Sequence, residues 1–235
     1  MRRLIGLMSA AAITVTLAVP ARADDHLRVV VELFTSQGCS SCPPADELLE
    51  RLAARDDVLP LALHVDYWDY IGWADTFADP GFTQRQKAYA HVAGSRTIFT
   101  PQMVVGGSDF LVGTREMELG ELIERHREDR PLVRLMLLRR GDVLEIRAEA
   151  VGRLPGAVLV QLVRYRPQET VEIRRGENAG RSITYSNIVT DWRVVGRWDG
   201  QTPLALQVDA PGSQPAAVIL QQEGPGAIVA AAVAE

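Results

Sequence analysis

The sequence predicts an α/β half followed by an antiparallel β-rich, sandwich-like half, and three observations carry that prediction. Residues 28–65 read as strand, turn, helix, strand, the order of a βαβ unit with a parallel sheet and a right-handed crossover. The chain's only two cysteines, Cys39 and Cys42, fall in the turn between the first strand and the helix. After Pro131 the helical spacing disappears, and short β-rich runs recur between turns. The expected divisions are residues 1–23, 24–130 and 131–235.

The first division reads as a secretory signal peptide. Arg2 and Arg3 form a basic start, Leu4 to Val19 is largely apolar, and Pro20-Ala-Arg-Ala23 supplies a small-x-small cleavage pattern. Arg28 to Phe34 is a compact β-branched run and is expected to be a buried strand. Ala45, Leu48, Leu49 and Leu52 then recur at helical spacing, with charged residues between them, and predict one amphipathic helix. Asp56-Asp57 breaks it, and Val58 to Val65 is the second strand. A segment crowded with Tyr67, Trp68, Tyr70, Trp73 and Phe77 follows, without regular spacing. Asp79-Pro80-Gly81 looks like a helix start, with the helix over 82–92. Thr100-Pro101 leads into a third strand closed by Gly106-Gly107, residues 110–113 extend a hairpin, and residues 116–129 form a last helix.

In the β-rich half, strands are expected over 132–139, 143–151, 157–165, 170–175, 188–196, 204–209, 216–222 and 227–233. Gly141-Asp142, Pro211-Gly212 and Gly224-Pro225-Gly226 mark the turns, and residues 174–180 read as a polar loop. Glu177, Asn178 and Arg181 on that loop could touch the other half or a ligand.

Composition narrows the partners. The chain is 47% hydrophobic and 23% charged, an ordinary globular balance. Its net charge is −5, and loss of Arg2, Arg3 and Arg22 with a signal peptide moves it to −8. That sign argues against nucleic acid and against anionic lipid as main partners. No segment beyond the first is long and apolar enough for a helical span, so no stable membrane insertion is expected after cleavage. The expected location is periplasmic or secreted. Two cysteines are too few for a disulfide scaffold, so the core must carry stability.

The C-x-x-C spacing lets the two thiols meet across one turn at the start of a helix. There the helix dipole and free N–H groups stabilise a thiolate. Cys39 comes first and is expected to be the more exposed, attacking thiol; Cys42 is expected to resolve the mixed disulfide. Pro43 and Pro44 lack N–H groups and fit only near the helix start. A bridge this short contributes little loop entropy, which makes stability a poor reason for the spacing.

Strand, C-x-x-C at a helix start, second strand and a later Thr-Pro before a strand together resemble the thioredoxin-like superfamily, over roughly residues 27–129. The resemblance implies a cis-proline at Pro101, preceded by Thr100, that faces the cysteines and contacts a partner's backbone. A narrower resemblance rests on Phe34-Thr-Ser-Gln-Gly-Cys-Ser-Ser-Cys-Pro-Pro44, His64-Val-Asp-Tyr-Trp-Asp69, Arg175-Gly-Glu-Asn-Ala-Gly180 and Asn187. Within the superfamily these motifs are similar to a bacterial secreted family, domain of unknown function 1223. It implies a thioredoxin-like fold and names no substrate. The usual Trp-Cys-Gly-Pro-Cys surroundings of a thioredoxin are absent here.

The site expected from all this has Cys39, Cys42 and Pro101 at its centre, with Thr100, Trp68 and Tyr67 lining a groove for substrate. His64 and Asp66 are two apart and are expected to share a face, as a proton relay or as auxiliaries. The leading expectation is an exported thiol-disulfide oxidoreductase acting on a protein or a small thiol or disulfide, with no cofactor and no resident metal. The alternatives are a soft-metal binder for copper or zinc using both thiolates, and a non-enzymatic interaction module with a static disulfide.

Overall fold

The computed structural model describes residues 28–234, so the expected signal peptide lies outside the described residues. Among the described residues, eleven strands and three α-helices follow one another. The first half holds β1 (Val29–Thr35), α1 (Pro43–Ala53), β2 (Val58–His64), α2 (Pro80–Val92), β3 (Gln102–Val105), β4 (Asp109–Val112) and α3 (Glu116–Glu128). The second holds β5 (Val133–Arg140), β6 (Val143–Ala150), β7 (Val158–Glu172), β8 (Ser182–Trp198), β9 (Leu204–Asp209), β10 (Ala216–Gln222) and β11 (Ile228–Ala234).

Eight strands form one mixed sheet in the order β11-β10-β7-β8-β2-β1-β3-β4, and β5-β6-β9 form a second sheet. β1 and β2 pair in parallel from Val29↔Val58 to Thr35↔His64, as a βαβ crossover requires. β3 runs antiparallel to β1, and β4 closes a hairpin on β3. The large sheet continues across the boundary near residue 131, because β8 lies beside β2 with a parallel bridge at Ala62↔Ile188. Pro60 leaves β2 without one ladder donor. At this seam Asn187 adopts φ +48, and its side-chain amide donates to the Pro60 carbonyl at 2.9 Å.

β1 is buried on both faces, which explains its unbroken apolar run. Val29, Val31 and Leu33 pack with Ala45, Leu48, Leu49 and Leu52 of α1 and with Leu119 and Ile123 of α3. Val30 and Phe34 point the other way, to Phe82 and Tyr89 of α2 and to Val163, Ala217 and Ile219 of the second half. The small sheet packs its Leu135, Leu144 and Ile146 against Val160, Leu162, Val218 and Leu220. A two-layer β packing therefore exists in the second half, and one of its layers is the far end of the shared sheet.

Two strands differ from the expectation. The runs 157–165 and 170–175 are one strand, β7, despite Pro167. β10 covers β7 only from Val158 to Arg164, so Pro167 sits where β7 has a free edge and its missing N–H costs no ladder bond. β8 begins at Ser182, six residues before the run that the sequence marked, and pairs with the far half of β7.

Candidate functional site

Cys39 and Cys42 are joined as a disulfide in the turn between β1 and α1. The turn folds on itself: the Cys39 N–H donates to Ser36 O, and the Cys42 N–H donates to Cys39 O. Cys42 is the residue before the first helical turn of α1, and Pro43 and Pro44 follow it. The next two N–H groups, of Ala45 and Asp46, both donate to the Cys42 carbonyl. The expectation that free helix-terminal N–H groups would hold a thiolate is therefore not met at these four positions. The Ser41 hydroxyl lies 3.3 Å from Cys39 Sγ.

Both cysteines are 0% exposed, while Ser40 and Ser41 between them face solvent. This corrects the expectation that Cys39 would stand outside and Cys42 inside. Two other segments close over the turn. Trp68 and Ile71 of the aromatic segment lie 3.2 Å from where a side chain on Gly38 would begin, so only glycine fits there without displacement. Trp73 Nε1 donates to Gln37 Oε1 at 2.8 Å, which ties the same segment down a second time. From the second half, the Asn178 side-chain amide donates to Gln37 O at 3.0 Å and to Cys39 O at 2.9 Å. Ser40 donates to Glu177 Oε2 at 2.6 Å. The polar loop of residues 174–181 is thus fastened to the cysteine turn.

The peptide bond Thr100–Pro101 is cis. Pro101 Cβ and Ala45 Cβ both lie within 3.1 Å of where a Gly113 side chain would begin, which sets Pro101 against the first turn of α1. Trp68 Nε1 donates to Thr100 Oγ1 at 2.8 Å, so Trp68 spans from the cysteine turn to the Thr-Pro pair. Tyr67 donates to Gln86 Oε1 of α2 and its hydroxyl also interacts with the Thr100 side chain. Burial pushes the Tyr67 phenol up to about 12, against the pull of its hydrogen bonds. Tyr70 is 81% exposed and stacks on Trp68, with ring planes 11° apart.

His64 and Asp66 do not form a pair. His64 is buried at the end of β2 and its Nδ1 lies 2.8 Å from Asp75 Oδ2, while Asp66 accepts from the Thr83 hydroxyl. β2 ends at His64, so the strand alternation that would align the two residues stops between them. Asp75 also accepts the Gln37 N–H at 2.8 Å and the Phe77 N–H at 2.9 Å. Burial works to raise its pKa, but His64 and these hydrogen bonds outweigh that and hold it low.

Asp46 is the residue that the sequence reading missed. It is buried on α1, accepts the Thr35 hydroxyl at 2.8 Å through Oδ1, and has no partner for Oδ2. Burial raises its carboxyl to about 7, opposed by His64 and Thr35 and reinforced by Asp75. His64 Nε2 and Tyr185 Oη are also buried without a partner, and the Tyr185 ring lies 4.9 Å from that of His64. A readable signal existed: Asp46 is three residues before Leu49, on the apolar stripe of the helix. Among the described residues, no group of three His, Cys, Asp or Glu has the geometry to hold a metal ion.

The chain matches, over residues 30–222, the family described as Protein of unknown function (DUF1223), and it belongs to that family. It is similar to a protein from Agrobacterium tumefaciens of known crystal structure, with 33% identity and a TM-score of 0.77. That match covers 90% of this chain and 95% of the other. A likeness of fold alone connects it to HBP35 of Porphyromonas gingivalis: 12% identity, a TM-score of 0.63, and coverage of 90% and 76% of the two chains. No curated protein matches it.

Proposed function

We propose that this chain is an exported thiol-disulfide exchange protein whose first half is thioredoxin-like. The observation that carries the reading is the disulfide between the chain's only two cysteines, set across one turn at the start of α1. Pro101 stands by that turn, and Trp68 and Tyr70 offer aromatic surface beside it. Export to an oxidising compartment belongs to the same proposal. It is supported by the basic, apolar and small-residue pattern of residues 2–23 and by the disulfide.

From the dithiol form, the Cys39 thiolate attacks a partner disulfide. One partner sulfur bonds to Cys39, and the other leaves as thiolate. The Cys42 thiolate then attacks Cys39 Sγ, the Cys39–Cys42 bond re-forms, and the second partner sulfur leaves. The partner gains two electrons and, with two protons from solvent, becomes a dithiol. The reverse sequence oxidises a partner dithiol.

One observation favours a second reading, a static disulfide in an interaction module: both cysteines are fully buried. The two readings part on Cys42→Ser. Exchange predicts that Cys39 alkylates in the folded protein and accumulates mixed disulfides with partner proteins or glutathione. A Cys39 that stays unreactive until the protein unfolds would refute exchange and leave the static reading.

A further inference from the structure

We infer that Asn178 is a positioning residue for this exchange: it latches the second half's 174–181 loop to the peptide of Cys39, and the sulfurs become reachable only when that latch opens. The inference rests on the exchange reading for its purpose and on the following geometry for its existence.

A buried disulfide exchanges only if something moves, because an attacking thiolate must approach along the S–S axis. The turn carrying Cys39 is the short piece that would have to swing outward. Asn178 holds it at two points on either side of Gly38, Gln37 O and Cys39 O, through the nitrogen of one side-chain amide. Whatever covers the sulfurs, the turn cannot carry Cys39 out without breaking both bonds. The amide itself has no freedom to follow. It is 1% exposed, and its Oδ1 accepts from Arg181 Nη1 at 3.1 Å.

The loop is braced from within. Ile173 N–H donates to Arg181 O and Gly180 N–H donates to Ile173 O, so its two ends are pinned to each other. Gly176 and Gly180 bracket Asn178 at φ +76 and +82, conformations that other residues adopt only with strain. Gly176 also rests 3.3 Å, measured from its would-be Cβ, from Trp73 Cβ, so the loop meets the aromatic segment as well as the turn. Beyond Asn178 the remaining polar attachment is Ser40 to Glu177, which faces solvent and is readily exchanged for water. The second half's buried hold on the turn is therefore one amide with two bonds, while the aromatic segment holds the turn's Gln37 end through Asp75 and Trp73 and leaves the Cys39 end to Asn178.

The test is the rate at which a trialkylphosphine reduces Cys39–Cys42 in the full chain, in the absence of urea and across a urea series. Two hydrogen bonds of ordinary net worth bias a local opening by roughly ten- to thirty-fold. Asn178→Ala is expected to be reduced faster by about that factor, with little dependence on urea below the unfolding transition. Ser40→Ala, which leaves the buried amide in place, is expected to accelerate reduction by only about twofold. If Asn178→Ala unfolds, amide exchange in the oxidised wild type replaces it: the 37–39 and 174–181 amides are expected to open together and well below the global unfolding energy. An Asn178→Ala rate equal to that of wild type, an acceleration with the full urea dependence of global unfolding, or independent opening of the two segments overturns the latch. Failure to trap mixed disulfides with Cys42→Ser, alongside faster reduction of Asn178→Ala, overturns exchange and leaves the latch standing.

Discussion

Replacing Asp46 by Asn tests whether a buried acid beneath the cysteine turn carries a proton in the folded protein. The carboxyl is 2% exposed, one oxygen accepts from Thr35 and the other has no partner. Burial lifts it from 3.8 to about 7. Unfolded, the same group ionises near 3.8. Between those values the folded chain holds a proton that the unfolded chain has released, so stability falls as pH rises from about 4 to about 7. Three units of pH at ~1.4 kcal/mol each make the whole loss roughly 4 kcal/mol. About 3 kcal/mol of it falls between pH 5 and pH 8. Asn keeps the shape and the acceptor for Thr35, and cannot ionise.

The assay is urea unfolding of wild type and Asp46→Asn at pH 5 and pH 8. Groups that titrate alike in both chains cancel in the difference. The stability of Asp46→Asn relative to wild type is expected to rise by about 3 kcal/mol from the lower pH to the higher. A difference that stays constant across this range would mean that Asp46 is ionised throughout, and the reasoning from burial would fail.

Three further substitutions test the packing that joins the halves and the backbone of turn and helix. Glu32 is fully buried on β1 and takes a bidentate contact from Arg85 of α2, at 2.6 and 2.8 Å; Arg85 also reaches Gln221 of β10. Arg85→Met leaves the buried Glu32 carboxylate without its cation and with the Tyr89 hydroxyl as its remaining donor, and is expected to cost about 3–5 kcal/mol in urea unfolding, much of it recovered by adding Glu32→Gln. A cost below about 1 kcal/mol would show that Glu32 finds another partner. Gly106 sits at φ +59 with the His126 ring 2.3 Å from any added Cβ, so Gly106→Ala is expected to lower stability by more than about 1 kcal/mol. Gly120 lies within α3 with open space around it, and Gly120→Ala is expected to raise stability by about 0.5–1 kcal/mol. Thermal or urea midpoints that move the two glycine variants in the same direction contradict the backbone argument.

Local patterns were legible in the sequence to the extent that they depend on near neighbours. The crossover from β1 to β2, the apolar face of α1, the start of α2 at Asp79-Pro80, and most of the β-rich runs follow from spacing and turn residues. Asp79 caps α2 by accepting the Gly81 N–H at 2.6 Å, the role its position suggested. What spacing cannot supply is which distant segment arrives. Pro167 reads as a strand end, yet β7 continues because its neighbour on that edge has already stopped. Asp66 looks like His64's partner by proximity, but Asp75 takes that place through a loop of unpredictable path. Asn178 reads as a turn residue, and nothing local discloses a bond to a carbonyl 139 positions away.

The cysteine turn is therefore a property of both halves. Its sequence motif lies wholly in residues 34–44, but Gln37 O and Cys39 O are satisfied by Asn178 and the Ser40 hydroxyl by Glu177. Without the second half Gln37 O and the Ser40 hydroxyl would turn to water or go unpaired, and Cys39 O would keep only the Cys42 N–H. The sheet beneath continues in the same way: β8 covers the β2 edge, and Asn187 answers the carbonyl of Pro60. Gln221 extends the Glu32–Arg85 pair across the same seam. A short C-x-x-C turn contributes little to stability through loop entropy, so three separate attachments from the second half are more than a staple requires. They are what a turn needs if its exposure is to be set by the rest of the fold. On the latch inference, control of access to the sulfurs lies with the β-rich half, at Asn178, more than with Ser40 between the cysteines, whose single bond to Glu177 is exposed.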